Sequence, residues 1–199
     1  MNNITYITGT SGSGKSFLTK TLIQEFSQDS LTIVIDFWGE YLNLKDFIII
    51  GSNKETADII LDWKSIKELF RLKWNTVFDL SKLSDQDRVE VINEILLNII
   101  NGKLDSNILD YKINIIFEGS GILNQNNDLK HIIDFIIDRC NNIDLYFVEQ
   151  RLPVSLMRKV NTFLIGKVIE SSEIIKLQEF INLNVNNIDY LNNQKFKFL

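Results

Sequence analysis

Gly9-Thr10-Ser11-Gly12-Ser13-Gly14-Lys15-Ser16 follows the pattern G-x-x-x-x-G-K-S, the spacing of a phosphate-binding loop. Each residue type has a task in that pattern. Glycines let the backbone wrap closely around a phosphate chain, so that main-chain N–H groups at a helix start converge on the anion. Lys15 is placed to reach the β- and γ-phosphates of a nucleoside triphosphate, and the Ser16 hydroxyl to ligate Mg²⁺. The predicted nucleotide contacts are Gly9, Thr10, Ser11, Gly12, Ser13, Gly14, Lys15, Ser16 and Phe17. ATP with Mg²⁺ is the cofactor pair that this chemistry requires.

Three further positions carry groups that a nucleotide could use: Glu118, Gln150-Arg151, and Asp36 with Glu40. Hydrolysis of a triphosphate needs an acid to activate the attacking water. It also gains from a polar residue that senses the γ-phosphate and an arginine that neutralises transition-state charge. Each of these positions closes a run of apolar residues, which is how a strand delivers a side chain to a site.

The elements that must position them read as alternating strands and helices. Ile4-Thr5-Tyr6-Ile7 precedes the loop as a strand, and Phe17, Leu18, Leu22, Ile23 and Phe26 follow it at helical spacing. Further strands are predicted over 31–35, 47–50, 75–81, 113–118, 143–148 and 162–167. Continuous apolar runs of this kind suit strands buried on both faces of a parallel sheet. Helices are predicted over 55–74, from Ser84 to a terminator at Asn101-Gly102, and over 128–139, 154–160 and 171–181. The tail from about 182 is expected to return as an edge strand. This alternation predicts a three-layer α/β fold with a mainly parallel central sheet, in one domain over 1–199. Its catalytic residues are expected at the carboxyl ends of the strands. Glu118 follows a long insertion, which suits the additional-strand (RecA-like) class of P-loop NTPases, where another strand separates the acid's strand from the P-loop strand.

Composition narrows the setting. Hydrophobic residues make up 45% and charged residues 24% of the 199 residues, the balance of a soluble globular chain. The formal net charge of −5 announces no bulk affinity for nucleic acid, which leaves only a local basic surface for that purpose. Lys64, Lys67, Arg71 and Lys73 form such a group on the predicted 55–74 helix, although a solvated helix face is the commoner meaning of the pattern. Cys140 is the single cysteine, so no internal disulfide exists and a reducing cytoplasmic setting is expected. No apolar run approaches the ~20 residues of a transmembrane helix.

Several motifs in order resemble the HerA/FtsK superfamily of ATPases. Asp36-Phe37-Trp38-Gly39-Glu40-Tyr41 is similar to that family's D-x-x-G-E-Y turn after the second strand. Phe78-Asp79-Leu80-Ser81 with Arg88 and Leu97 resembles its D-L-S … R … L segment. Arg139, the strand to Val148 and Gln150-Arg151-Leu152-Pro153 resemble its R … strand … Q-R-P stretch, with one residue inserted before the proline. The resemblance implies a DNA-translocating ATPase acting as a homo-oligomeric ring, usually a hexamer, on double-stranded DNA. In a chain this small it is most similar to the genome-packaging ATPases of membrane-containing phages and related viruses. That likeness would add a capsid or portal partner and a place in the host cytoplasm or virion. By the same resemblance Lys15 and Ser16 hold phosphate and Mg²⁺, Glu118 activates water and Gln150 is the sensor. Arg139 is the first candidate for an arginine supplied to a neighbour's site, with Arg88 and Arg151 behind it.

One departure bears on the metal. The family's acid-bearing strand ends Asp-Glu, whereas this chain has Phe117-Glu118. Asp36 is then a candidate to stand in beside Mg²⁺, or Glu118 is itself the metal-side acid and the base is unassigned. A small P-loop kinase and an ATP-dependent assembly switch with weak hydrolysis are the alternative functions.

Overall fold

The computed structural model describes residues 2–60, 74–104, 111–119, 121, 126–149, 154–166 and 196–198. Gln150, Arg151, the basic group at 64–73 and the predicted helix over 171–181 lie outside the described residues.

In chain order the elements are β1 (Ile4–Thr8), α1 (Lys15–Phe26), β2 (Leu31–Asp36), β3 (Ile48–Gly51), β4 (Ile59–Ile60) and β5 (Thr76–Asp79). There follow α2 (Asp85–Leu104), β6 (Ile113–Glu118), α3 (Asn127–Arg139), β7 (Ile143–Val148), α4 (Val154–Met157), β8 (Thr162–Gly166) and β9 (Phe196–Phe198). The strands form one sheet in the order β4-β3-β5-β2-β6-β7-β1-β8-β9. β1 to β8 are parallel to their neighbours, and β9 pairs antiparallel with β8 at the edge. β2, β6 and β7 are buried at every residue, as apolar strands covered by helices on both faces must be.

Alternation along each strand sends side chains to two different cores. Ile7, Val34, Ile116, Tyr146 and Val148 pack with Leu18, Leu22 and Ile23 of α1. Tyr6, Ile33, Ile35, Phe117 and Phe147 pack on the other face with α2 and α3. Three layers result. Asn126 caps α3 by accepting from Leu129 N at 3.0 Å, while Ser84 caps α2 by accepting from Asp87 N at 3.2 Å.

The helix predicted over 154–160 ends at Met157 and the strand over 75–81 at Asp79, and two further boundaries move for a visible reason. α2 does not stop at Asn101-Gly102 but runs to Leu104, with the buried Ile99 and Ile100 anchoring the turn that Gly102 would otherwise weaken. The segment from 55 does not begin as a helix. Asp58 N donates to Ile49 O and Asp58 Oδ2 accepts from Ile49 N, both at 2.8 Å. This ties the chain to β3 and draws Ile59–Ile60 into the sheet as β4.

Register aligns the strand ends that matter. Asp36 lies beside both Glu118 and Asp79, Glu118 beside Val148, and Ile7 beside Val148 on one side and Leu164 on the other. The carboxyl ends of β2, β6, β7 and β1 thus form one row, with β7 between the P-loop strand and the strand of Glu118.

Candidate nucleotide site

The loop between β1 and α1 is shaped by glycines. Gly9, Gly12 and Gly14 have φ of +152°, +74° and +93°, values that side-chain-bearing residues rarely adopt. Gly14 is the N-cap of α1 and supplies no side-chain cap, so the first N–H groups of the helix remain directed at the loop. Ser13 N donates to Thr10 O at 3.1 Å, which closes the concavity. Lys15 Nζ donates to Gly9 O at 2.8 Å and Thr10 O at 3.1 Å, so its ammonium lies across the loop. The buried Ser13 Oγ has no hydrogen-bond partner among the described residues. A hydroxyl donor held in this way among converging N–H groups fits a phosphate oxygen.

A Cβ on Gly9 would meet Ser13 Oγ at 2.6 Å and the Gly166 backbone at 3.1 Å. Gly9→Ala is therefore expected to deform the loop against about 1–3 kcal/mol of strain. That corresponds to on the order of a ten- to hundredfold loss in ATP affinity. Calorimetric titration with a non-hydrolysable ATP analogue checks it, and an affinity equal to that of the native chain would contradict this account of the loop.

The cleft in front of the loop has a volume of about 670 Å³ and is lined by Ser11, Lys15, Ser16, Trp38, Glu40 and Glu118, with Phe17, Glu149 and glycines of the loops completing it. The structure thus brings together Lys15, Ser16, Phe17 and Glu118 from the sequence expectations. Trp38, Tyr41, Gly119 and Glu149 have no role of their own in those expectations. The only signal for them is their place in the D-x-x-G-E-Y turn or at a strand end. Gly119, with φ of +83°, passes directly beneath the Trp38 indole, whose Nε1 would collide with any Cβ there.

Glu118 is buried, and its Oε2 accepts from Tyr41 OH at 2.5 Å. Burial is the main reason its carboxyl is pushed up from 4.5 to about 7. The Tyr41 bond and Lys15 oppose that rise, while Glu40 and Asp36 reinforce it. Tyr41 itself is shifted upward by burial and by Glu118, which keeps the phenol a neutral donor. Phe117 faces the opposite core, stacked on Phe147 at 5.2 Å. An aspartate at 117 would put its carboxylate against Phe147 rather than beside Ser16.

Asp36 is not directed at the cleft. Its Oδ1 accepts from Trp38 N at 3.0 Å and Gly39 N at 2.9 Å, and its Oδ2 from Tyr41 N at 2.9 Å. Burial raises its pKa, and the backbone donors of the turn counter the rise. These bonds make the carboxylate a clamp on its own turn, and Asp36 is not among the residues that line the cleft.

The arginines separate clearly. Arg88 donates to Leu80 O at 3.0 Å and Ser81 O at 3.2 Å, and pairs with Asp85 at 3.1 Å. It therefore braces the turn after β5 within its own subunit. Arg139 is exposed at the carboxyl end of α3. The whole of β7 separates it from the cleft, about 20 Å at ~3.3 Å per residue. It cannot serve the site of its own chain.

A glycine loop at a helix start, facing a buried acid two strands away across an inserted parallel strand, defines a P-loop NTPase of the additional-strand class. The family model of the HerA helicase central domain matches residues 5–117, more than half of the chain, and the chain belongs to that family, of the HerA/FtsK type. No curated protein is detectably similar in sequence. Among solved structures, the genome packaging NTPase B204 of Sulfolobus turreted icosahedral virus 2, in complex with ATP-γ-S, superposes with a TM-score of 0.66 at 16% identity, over 99% of this chain and 96% of that one. VirB4 of Thermoanaerobacter pseudethanolicus superposes at 0.61 with 14% identity, over 96% and 84%. The pCW3 conjugation coupling protein TcpA gives 0.52 with 15% identity, over 99% and 57%. Among the described residues no helix is long and apolar enough to cross a membrane.

Proposed function

We propose that this chain is an ATP-hydrolysing translocase of double-stranded DNA that packages a viral genome, working as a homo-oligomeric ring, most simply a hexamer. The observation that favours packaging within the family is the end-to-end match to B204, which covers 99% of this chain and 96% of that protein. VirB4 and TcpA are covered over a smaller share of their own length. A capsid or portal protein is the partner this reading implies, in the host cytoplasm or the virion.

Within the site, the loop N–H groups and Lys15 hold the phosphates. The Ser16 hydroxyl is the hard-oxygen ligand that the chain offers Mg²⁺, which leaves the Glu118 carboxylate to act on water. Among the described residues no three His, Cys, Asp or Glu side chains gather into a metal site, as fits an ion held largely by phosphate and water. Asp36 acts as a turn clamp instead. Glu118, with its pKa near 7, is the acid that takes the proton of the attacking water. Gln150, next in the chain after the cleft residue Glu149, senses the γ-phosphate. Arg139, remote from its own cleft, reaches a neighbour's site across the ring interface.

The test is ATPase rate with and without double-stranded DNA across a salt series, beside particle mass with ATP bound. Stimulation by DNA that fades as salt rises is expected, because phosphate contacts release counterions, together with a ring-sized particle. A monomer whose ATPase ignores DNA at low salt would refute the motor. ATP binding with almost no turnover in either condition would point to an assembly switch.

A further inference from the structure

We infer that Tyr41 is a positioning residue for hydrolysis, which holds the Glu118 carboxylate in place through its phenolic O–H. This rests on the reading of Glu118 as the acid that acts on water.

The geometry is a chain of constraint between two adjacent strands. Asp36 and Glu118 are register partners at the ends of β2 and β6. Asp36 fixes the turn that follows it through the N–H groups of Trp38, Gly39 and Tyr41, and Gly39 supplies the positive φ of +74° that the turn requires. The turn sends the Tyr41 side chain back under the cleft. There its ring is fully buried among Ile7, Ile23, Val34 and Ile116, with the Lys20 ammonium 5.5 Å from the ring centre. The hydroxyl of this enclosed ring donates to Glu118 Oε2.

A glutamate has three side-chain torsions, and a base must present one oxygen to water in a fixed direction. The Tyr41 bond engages Oε2 and removes that freedom, leaving Oε1 to act on a water in the cleft that Glu118 lines. Ground-state binding of ATP depends on the P-loop, whereas the Tyr41 hydroxyl donates to Glu118. The effect therefore belongs to turnover and not to nucleotide affinity.

Tyr41→Phe keeps the ring and its packing and removes only the hydroxyl. Tyr41→Leu removes both. Basal ATPase, measured without DNA, is expected to fall at least tenfold in kcat in both variants, within the ~10²-fold that a 1 Å misplacement costs. KM for ATP should stay within about twofold, and the leucine variant should lose more thermal stability than the phenylalanine variant, which forfeits only the hydrogen bond to the buried carboxylate. A Tyr41→Phe enzyme with native kcat, or one whose loss lies in KM, would overturn the proposal and leave Tyr41 a packing residue. Glu118→Gln is measured alongside. If it abolishes turnover while Tyr41→Phe does not alter it, the Tyr41 proposal fails and the reading of Glu118 stands. If Glu118→Gln turns over normally, that reading fails and the role of Tyr41 with it. None of these outcomes depends on whether DNA stimulates the enzyme.

Discussion

Glu118→Gln is expected to lower kcat by roughly 10²–10⁴-fold, the range for loss of a general base, while ATP binding persists and the fold becomes more stable. The first half follows from position. Glu118 lines the cleft with Lys15 and Ser16, and a glutamine offers neither charge nor basicity there. The amide oxygen still accepts from Tyr41, so the side chain stays in place. The second half follows from electrostatics. Burial lifts the Glu118 carboxyl from 4.5 to about 7, so the folded chain carries an ionised group that it does not favour at neutral pH. The difference is worth about 3 kcal/mol as an order of magnitude, and an uncharged amide removes it.

The sign with pH is specific. Between pH 4.5 and 7 the folded state binds more protons at Glu118 than the unfolded state does, so this group's contribution to stability falls as pH rises through that window. The penalty is absent well below pH 4.5 and complete above 7. Activity runs the other way, since a base works only when deprotonated, and the hydrolysis rate should climb through about pH 7. Thermal unfolding of the native chain and the Glu118→Gln variant at about pH 5 and about pH 8 measures the first effect. Their difference should be small at the lower pH and large at the higher one. Equal melting temperatures under the alkaline condition would show that the carboxylate carries no burial penalty. Retained turnover would remove Glu118 from the chemistry, and a selective loss of Mg²⁺ dependence would reassign it to the metal.

Asp36→Ala is expected to cost roughly 2–4 kcal/mol in unfolding free energy, because it leaves several partly or fully buried N–H groups without their charged acceptor. The bond from Tyr41 N to Asp36 Oδ2 is buried. Relief of the burial that raises the Asp36 pKa offsets part of the loss and keeps it at this size. Turnover should fall together with stability, since the turn carries Glu40 to the cleft and Tyr41 to Glu118. Asp36→Asn keeps one acceptor oxygen and should fall between the two. Urea unfolding with the slope held constant checks the stability. An unchanged midpoint would mean that the turn is held by something other than Asp36. Normal stability with lost Mg²⁺ affinity would restore Asp36 as a metal-side acid.

The sequence alone determined what depends on local chemistry. G-x-x-x-x-G-K-S between a β-branched run and a helical pattern has one physical use, and φ values of +152°, +74° and +93° at Gly9, Gly12 and Gly14 are the conformations those glycines exist to adopt. Strands β6 and β7 appeared with their observed bounds because mostly apolar runs that lead to an acid leave little choice of boundary. The insertion of β7 between β1 and β6 was also legible, from the order of strands and acids. Helical periodicity misjudged the segment from 55, where the side chain of Asp58 binds β3 and only pairing across the sheet reveals β4.

Tertiary structure decided the rest of the site. Asp36 read as a carboxylate at a strand end, and so as a metal candidate; three-dimensional packing turned it inward, onto N–H groups of its own turn. Phe117 read as a missing aspartate, yet strand alternation faces it into the core that holds Phe147. Arg88 and Arg139 were alike as letters and are unlike as neighbours, one braced against β5 and the other far from the cleft. Above all, nothing in the spacing of Tyr41 and Glu118, 77 residues apart, says that one donates to the other. A hydrogen bond between distant residues follows from strand order and register, and these are properties of the folded sheet.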